Sequence, residues 1–274
     1  MTVTNGNFDR VFGGNNLSGT IRGKITVNVE ETGCRPVIIG ELYGGGNQAG
    51  YSVYGYNDDG SMIESGETPL YQDPQVNVRS FTSIGNIYGG GYGEGAKMVG
   101  NPTVNINVVE GDKKDYTYDN DQSTYKVGED NVPYYDANGF KELTLTVDGH
   151  SVVLPSHTKG KIGAINNVFG GGNAAEVTGN TNVNVGTLAE EYQIRPVAVG
   201  NSVANYYTRS GEGTESSPYK YTPATGNAVD GTTYYEKKTV IGADIRGNVY
   251  GGGNNAEVTG NTNVTIGQEK KKTE

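Results

Sequence analysis

A twenty-residue segment occurs twice in this chain of 274 residues with only four differences. The copies run from 167 to 186 and from 248 to 267, and both begin Asn-Val-aromatic-Gly-Gly-Gly-Asn. The four differences are Phe169/Tyr250, Ala174/Asn255, Asn184/Thr265 and Val185/Ile266. A third, weaker copy begins at Asn86, and degenerate copies begin at Val11 and Leu42. Such self-similarity is typical of repeat architectures, in which each unit buries its apolar face only against its neighbours.

Each unit ends in an alternating run of the form Thr-x-Val-x-Val or Ile, and alternation with period two predicts a β-strand. Units stacked about 4.8 Å apart would align their equivalent residues into ladders. Two inward apolar ladders are predicted: Val27, Val76, Val104, Val183 and Val264, and Val29, Val78, Ile106, Val185 and Ile266. The predicted fold is therefore all-β, a parallel β-helix (solenoid) of about five coils in one domain, 1–274, and right-handed as this fold class usually is. The coils are expected near 9–30, 38–80, 83–108, 161–186 and 239–267.

Other aligned positions predict polar and aromatic ladders. Asparagine amides pointing outward between the valines can pair along the stack, at Asn28, Asn77, Asn105, Asn184 and Thr265. Aromatic rings are expected to stack at one corner, at Phe12, Tyr43, Tyr88, Phe169 and Tyr250. The adjacent glycine tracts fit a tight corner or a close approach of neighbouring coils. Lys97, Glu176 and Glu257 also align, which leaves a solvated charge ladder and a cation site both open.

Long side loops interrupt the repeats near 54–74, 109–160 and 187–238, and such long insertions favour folded hairpins or functional loops. The clearest hairpin is 141–154, with Asp148-Gly149 at its turn. Tyrosine is concentrated in the loops, where its rings can either stack on a ligand such as a sugar or pack each hairpin against the coils. The candidate ligand-binding residues are Tyr116, Tyr118, Tyr134, Tyr135, Tyr206, Tyr207, Tyr234 and Tyr235.

Composition and charge exclude several classes of partner. The net charge of −10 makes nucleic acid and anionic membrane surfaces unfavourable partners. No stretch approaches the roughly 18 apolar residues of a membrane helix, so membrane insertion is not expected. Cys34 is the only cysteine, which excludes an intramolecular disulfide and a cysteine-based zinc site.

Catalytic patterns are weak, so no catalytic residue, metal or cofactor is predicted. The only histidines, His150 and His157, lie in one loop, and no Gly-Lys-Ser/Thr follows a glycine tract. The acidic pair Asp58 and Asp59 lies in a sequence typical of a surface turn. A polysaccharide lyase or glycoside hydrolase is kept as an alternative, because fold class alone does not decide activity.

The segment 249–266, which reads Val-Tyr-Gly-Gly-Gly-Asn-Asn-Ala-Glu-Val-Thr-Gly-Asn-Thr-Asn-Val-Thr-Ile, resembles the repeats of large adhesin-like surface proteins of gut Bacteroidales. The segments 168–185 and 11–21 share this resemblance. It implies an extracellular or cell-surface setting, in a segment of a longer exported protein, and carries over no catalytic residue. The expected function is non-enzymatic adhesion to a host or bacterial surface glycan or protein. The alternative is a structural subunit that self-associates end to end through open coil edges.

Overall fold

The computed structural model describes residues 1–31, 35–109, 124–127, 130–214 and 216–268. Cys34, Tyr116 and Tyr118 lie outside the described residues. Within the described ranges the chain forms 27 β-strands, numbered here in chain order, with one 3-10 turn at Glu94–Ala96 and no α-helix. The expectation of an all-β protein is confirmed, and three of its sheets are parallel.

Sheet I contains the Thr-x-Val-x-Val runs and is parallel throughout. Its strands, in spatial order, are β1 (Thr2–Val3), β3 (Thr26–Glu30), β6 (Gln75–Ser80), β9 (Thr103–Ile106), β20 (Thr181–Val185) and β27 (Thr262–Ile266). Both predicted apolar ladders are confirmed, because each residue pairs in register with its repeat equivalent. Val183 is fully buried, whereas Val264 on the last strand is 42% exposed. The apolar interior is therefore open at the β27 end.

An amide ladder lines the outer face of sheet I. Asn77 Nδ2 donates to Asn28 Oδ1 at 3.0 Å, and Asn105 Nδ2 donates to Asn77 Oδ1 at 2.9 Å. Asn184 Nδ2 continues the ladder to Asn105 Oδ1 at 2.9 Å, and Thr265 follows in register. The predicted pairing of amides is thus confirmed for the four asparagines.

Sheet II carries the aromatic residues. Its strands are β2 (Gly6–Phe12), β4 (Val37–Tyr43), β7 (Ser83–Tyr88), β18 (Ala164–Phe169), β25 (Asp244–Ile245) and β26 (Val249–Tyr250). The five rings from Phe12 to Tyr250 stack face to face with centroid separations of 4.7–4.8 Å, which confirms the predicted stack. Tyr43 and Tyr88 are buried in its middle, while Tyr250 at its end is 45% exposed.

Sheet III is the smallest of the parallel sheets, and glycine tracts connect sheet II to it. Its strands are β5 (Tyr51–Ser52), β8 (Met98–Val99) and β19 (Val177–Thr178). Backbone hydrogen bonds join the tracts directly: the amide N–H of Gly90 donates to Gly171 O at 3.1 Å, and that of Gly171 donates to Gly252 O at 3.1 Å. A Cβ atom at Gly90 or at Gly171 would lie 2.8 Å from a backbone nitrogen of the neighbouring tract, so neither position has room for a side chain.

The hairpin predicted at 141–154 is confirmed as β15 (Leu143–Val147) and β16 (His150–Leu154), with Asp148 and Gly149 both at positive φ in the turn. It packs on the outer side of sheet II through a cluster that includes Ile38 of β4. Two polar contacts hold its tip: Arg10 pairs with Asp148 at 2.7 Å, and His150 Nε2 lies 3.0 Å from the buried Glu41. The neighbouring strands of this loop are β11 (Thr124–Val127), β12 (Asp130–Pro133), β13 (Tyr135–Asp136), β14 (Gly139–Phe140) and β17 (His157–Thr158).

The loop predicted at 187–238 forms most of an antiparallel sheet, sheet IV, and continues beyond 238 to Gly242. Its strands are β10 (Val108–Val109), β21 (Glu190–Arg195), β22 (Tyr207–Ser210), β23 (Lys220–Pro223) and β24 (Tyr234–Gly242). Since β10 follows directly after β9, sheet IV is attached beside the amide ladder of sheet I.

Candidate functional site

A cleft of about 520 Å³ lies between the outer face of sheet I and sheet IV. Its floor includes Asn28, Gln75 and Asn77 from sheet I, and its opposite wall includes Tyr192 and Tyr221 from sheet IV. One side therefore presents amides and the other presents aromatic rings.

The amide ladder fixes the orientation of the polar groups on the floor. A carboxamide has two N–H donors and an oxygen with two lone pairs. Asn77 uses one donor toward Asn28 and one lone pair toward Asn105. Among the described residues, each internal amide of the ladder thus retains one donor and one acceptor for a ligand, repeated at the spacing of the strands of sheet I.

The aromatic wall is built by rings on four antiparallel strands. Tyr192 on β21 stacks on Tyr221 on β23, with centroids 3.9 Å apart and an interplanar angle of 4°. Tyr207 and Tyr235 meet this pair edge-on at 5.2 and 5.3 Å. Burial raises the pKa of Tyr221 above its usual value, while its hydrogen bond with Arg209 opposes the rise. The phenol of Tyr221 is therefore neutral at physiological pH, and the ring contacts hold the four side chains in one arrangement.

An ion pair connects the floor to the aromatic wall. Arg79 of β6 contacts Glu191 Oε1 of β21 through Nη2 at 2.9 Å and Nε at 3.1 Å, and each side chain is 17% exposed. On one side of this pair lies the main cleft, and on the other lies a smaller depression of about 210 Å³ lined by Asn105 and Asn184. Amides of the ladder therefore line both the main cleft and the smaller depression.

A second depression, of about 920 Å³, adjoins the main cleft on the side of the loop at 54–74. Lys24, Gln72 and Gln75 line both spaces, so the two adjoin. Leu70 on its margin is 68% exposed. The three adjoining spaces lie along sheet I and are together named here the sheet I trough.

The structure divides the tyrosines predicted as ligand contacts. Tyr134 and Tyr135 are buried with Phe140 in the hairpin cluster, and Tyr234 is buried in the interior of the 187–242 loop. These three rings therefore pack within the protein, which is the alternative to ligand contact that the sequence left open.

Three of the predicted tyrosines lie elsewhere in sheet IV or its loop. Tyr235 lines the trough, Tyr207 packs against the ring of Tyr192, and Tyr206 is half-buried in the loop. Ligand binding by these three stays a prediction. The sequence did not single out Tyr192 and Tyr221, since tyrosines abound in all the loops and no period links these two.

The remaining polar candidates have structural partners. Lys97 Nζ lies 3.3 Å from Glu176 and 2.9 Å from Glu64, as in a surface charge ladder. Asp59 accepts hydrogen bonds from the backbone and hydroxyl of Ser61, as a turn residue does. In the described part of the chain, no three acidic, histidine or cysteine side chains are grouped to hold a metal ion.

A comparison with protein-family models, with curated proteins and with solved structures finds no match to this chain. Over the described residues, no helix is long and apolar enough to cross a membrane.

Proposed function

We propose that this chain is a non-enzymatic glycan-binding module for cell-surface adhesion, with the ligand in the sheet I trough. The observation that carries the proposal is the pairing of stacked tyrosines with a fixed row of amides across one cleft. Flat rings can contact the apolar faces of sugar rings, while amides hydrogen-bond to hydroxyls.

The scaffold that we propose for this module is a right-handed parallel β-helix. Its support is the order of strands: in each of the three parallel sheets, strands are added in the order in which they occur along the chain. The in-register ladders also support this scaffold, because they form where each repeat unit lies beside the next. Sheet IV and the 143–154 hairpin are side insertions on this scaffold.

The proposed setting is extracellular, at a cell surface, within a longer exported protein, and the proposed ligand is a host or bacterial surface glycan. This part rests on the resemblance of the repeats at 168–185 and 249–266 to adhesin-like proteins of gut Bacteroidales. A trough that holds an extended polymer is compatible with adhesion, since a polymer exposes many equivalent segments to it.

The test is a glycan array followed by titration of the retained glycans against a double variant, Tyr192→Ala with Tyr219→Ala. Both residues line the trough. At roughly 0.5–1.5 kcal/mol for each aromatic contact, the double variant should bind about tenfold more weakly. The matched control is Tyr250→Ala, since Tyr250 is 45% exposed and Tyr219 is 46% exposed, but Tyr250 is not in the trough.

Unchanged binding by the double variant, with a wild-type circular dichroism spectrum, would refute the trough as the site. The retained glycans are also incubated with the protein and examined for shorter products. Depolymerisation would favour the lyase or hydrolase alternative over a binding module.

A structural subunit that associates end to end is the second candidate, and the exposure of β27 favours it. Ile266 is 68% exposed, whereas its equivalent Val185 is 6% exposed. An unpaired strand edge can pair with another chain. The double variant Val264→Lys with Ile266→Lys should abolish concentration-dependent growth in sedimentation velocity, and Val229→Lys, at an exposed loop valine, should not. Wild-type protein that stays monomeric at all concentrations would contradict this candidate.

A further inference from the structure

The main cleft of the sheet I trough has more cations than carboxylates among the described residues. Lys24, Arg79 and Arg209 line it, against the two carboxylates Glu30 and Glu191. Over the whole trough the charges balance, because Asp73 lines the larger depression. The chain as a whole has a net charge of −10, so the trough, and the main cleft above all, is less acidic than the rest of the protein.

The carboxylates of the trough already have partners. Glu191 is paired with Arg79, and Glu30 has an interaction of its own. Asp73, in the adjoining depression, accepts hydrogen bonds from the backbone N–H of Asn101 at 2.7 Å and from its amide at 3.2 Å. The negative charges of Glu191 and Asp73 are therefore partly compensated within the protein.

Arg209 contacts two aromatic rings and makes no ion pair within the part of the chain that the structure describes. Its guanidinium lies 4.1 Å from the ring centroid of Tyr219 and 5.1 Å from that of Tyr235. Contact with the two rings orients the planar guanidinium. One N–H donor is used in the hydrogen bond with Tyr221, and a guanidinium has five such donors, so others can meet an anion. Such a fork matches a carboxylate or sulfate with two parallel hydrogen bonds.

Lys24 provides the second cation, at the junction of the main cleft and the larger depression. Its ammonium donates to Gln75 Oε1 at 3.0 Å, a neutral acceptor. Burial lowers the pKa of Lys24 below its usual value, and the carboxylate of Asp73 opposes this shift. An anion bound nearby would stabilise the charged ammonium that desolvation disfavours.

We infer that the ligand of the sheet I trough is an acidic glycan, whose carboxylate or sulfate groups are bound by Arg209 and Lys24. This inference rests on the proposed function. The rings and amides provide contact with the sugar backbone, and the two cations select polymers that carry negative charge.

The test measures binding of the wild-type chain to immobilised polygalacturonate, alginate and chondroitin sulfate. A carboxyl-reduced form of each uronate polymer, and desulfated, carboxyl-reduced chondroitin, provide the matched neutral polymers. The single variants Arg209→Gln and Lys24→Gln should each weaken binding to an acidic polymer by about tenfold or more, as expected for a lost charged hydrogen bond. Arg195→Gln is the control, since Arg195 lies on the same sheet and is not in the trough.

Preference for an acidic form over its neutral form, lost in Arg209→Gln but kept in Arg195→Gln, would support the inference. Equal binding of acidic and neutral forms, or retention only of neutral glycans on the array, would overturn it and leave the binding trough in place. If no acidic, neutral or array glycan is retained, the proposed function itself fails.

Discussion

Replacing Gly171 by alanine tests how closely neighbouring repeat units approach each other. A Cβ atom at Gly171 would lie 2.8 Å from the amide nitrogen and 2.9 Å from the Cα of Gly253 in the next repeat unit, whereas ordinary contact begins near 3.4 Å. The two units would have to separate by the difference, which would stretch the 3.1 Å bond from Gly171 to Gly252. Overpacking of this kind costs about 1–3 kcal/mol.

The same substitution at Gly252 is the matched control. Gly252 occupies the equivalent position within an identical Gly-Gly-Gly tract, but no atom lies within 4 Å of a Cβ built there. Both substitutions reduce the freedom of the unfolded chain by the same amount, a gain of about 0.4–1 kcal/mol. The difference in free energy of unfolding between the two variants therefore isolates the contact with the next repeat unit.

The assay is thermal unfolding by circular dichroism at a concentration where the protein is monomeric. A change of 1 kcal/mol shifts the Tm of a domain of this size by about 2–4 °C. Gly171→Ala should melt below wild type, and Gly252→Ala should melt at or slightly above it. Equal Tm values for the two variants would refute the reasoning that the space between neighbouring repeat units excludes a methyl group.

Three further predictions concern the ladders and corners. Asn105→Ala removes two amide hydrogen bonds and should lower the free energy of unfolding in urea by about 1–3 kcal/mol, whereas Thr265→Ala at the ladder's end should change it little. Ala174 has φ of 51°, a left-handed conformation that asparagine tolerates better, so Ala174→Asn should raise the Tm; a lower Tm would contradict this. Burial raises the pKa of Tyr43 and Tyr88 above the ordinary value of 10.0. The raised pKa of these two tyrosines therefore contributes fully to the free energy of unfolding below about pH 10. Above that pH the contribution declines, because the unfolded chain loses protons that the folded chain keeps. Tyrosinate absorbance of these rings should therefore appear together with loss of the folded spectrum, and its appearance before unfolding would disprove the assignment.

The ladders could be predicted from the sequence because each residue lies beside its own repeat equivalent. An alignment of the repeats in sequence therefore also predicts which residues lie side by side in the sheet, as Val104, Val183 and Val264 do. The hairpin turn at Asp148-Gly149 was predictable for a different reason, since its signal is local and both residues adopt the positive φ that the turn requires.

The trough could not be predicted in the same way, because its wall belongs to a side loop without a repeat equivalent. Arg79 and Glu191 are 112 residues apart, and nothing periodic relates them. Tyr192 and Tyr221 meet only because β21, β22 and β23 each join the antiparallel sheet formed around β24. Tyr134 and Tyr135 illustrate the converse, since a paired tyrosine motif does not reveal whether its rings face inward or outward.

The identity of the segments 167–186 and 248–267 at all but four of twenty positions has a consequence for how such a chain can evolve. The first segment contacts the second through one of its faces. Because the two sequences are nearly the same, the second segment has an equivalent face on its opposite side. Duplicating one 81-residue period, the spacing from Val168 to Val249, would therefore lengthen the molecule without requiring a new contact surface. Each duplication would also copy a side loop, which could then diverge independently of the conserved frame and broaden the range of ligands.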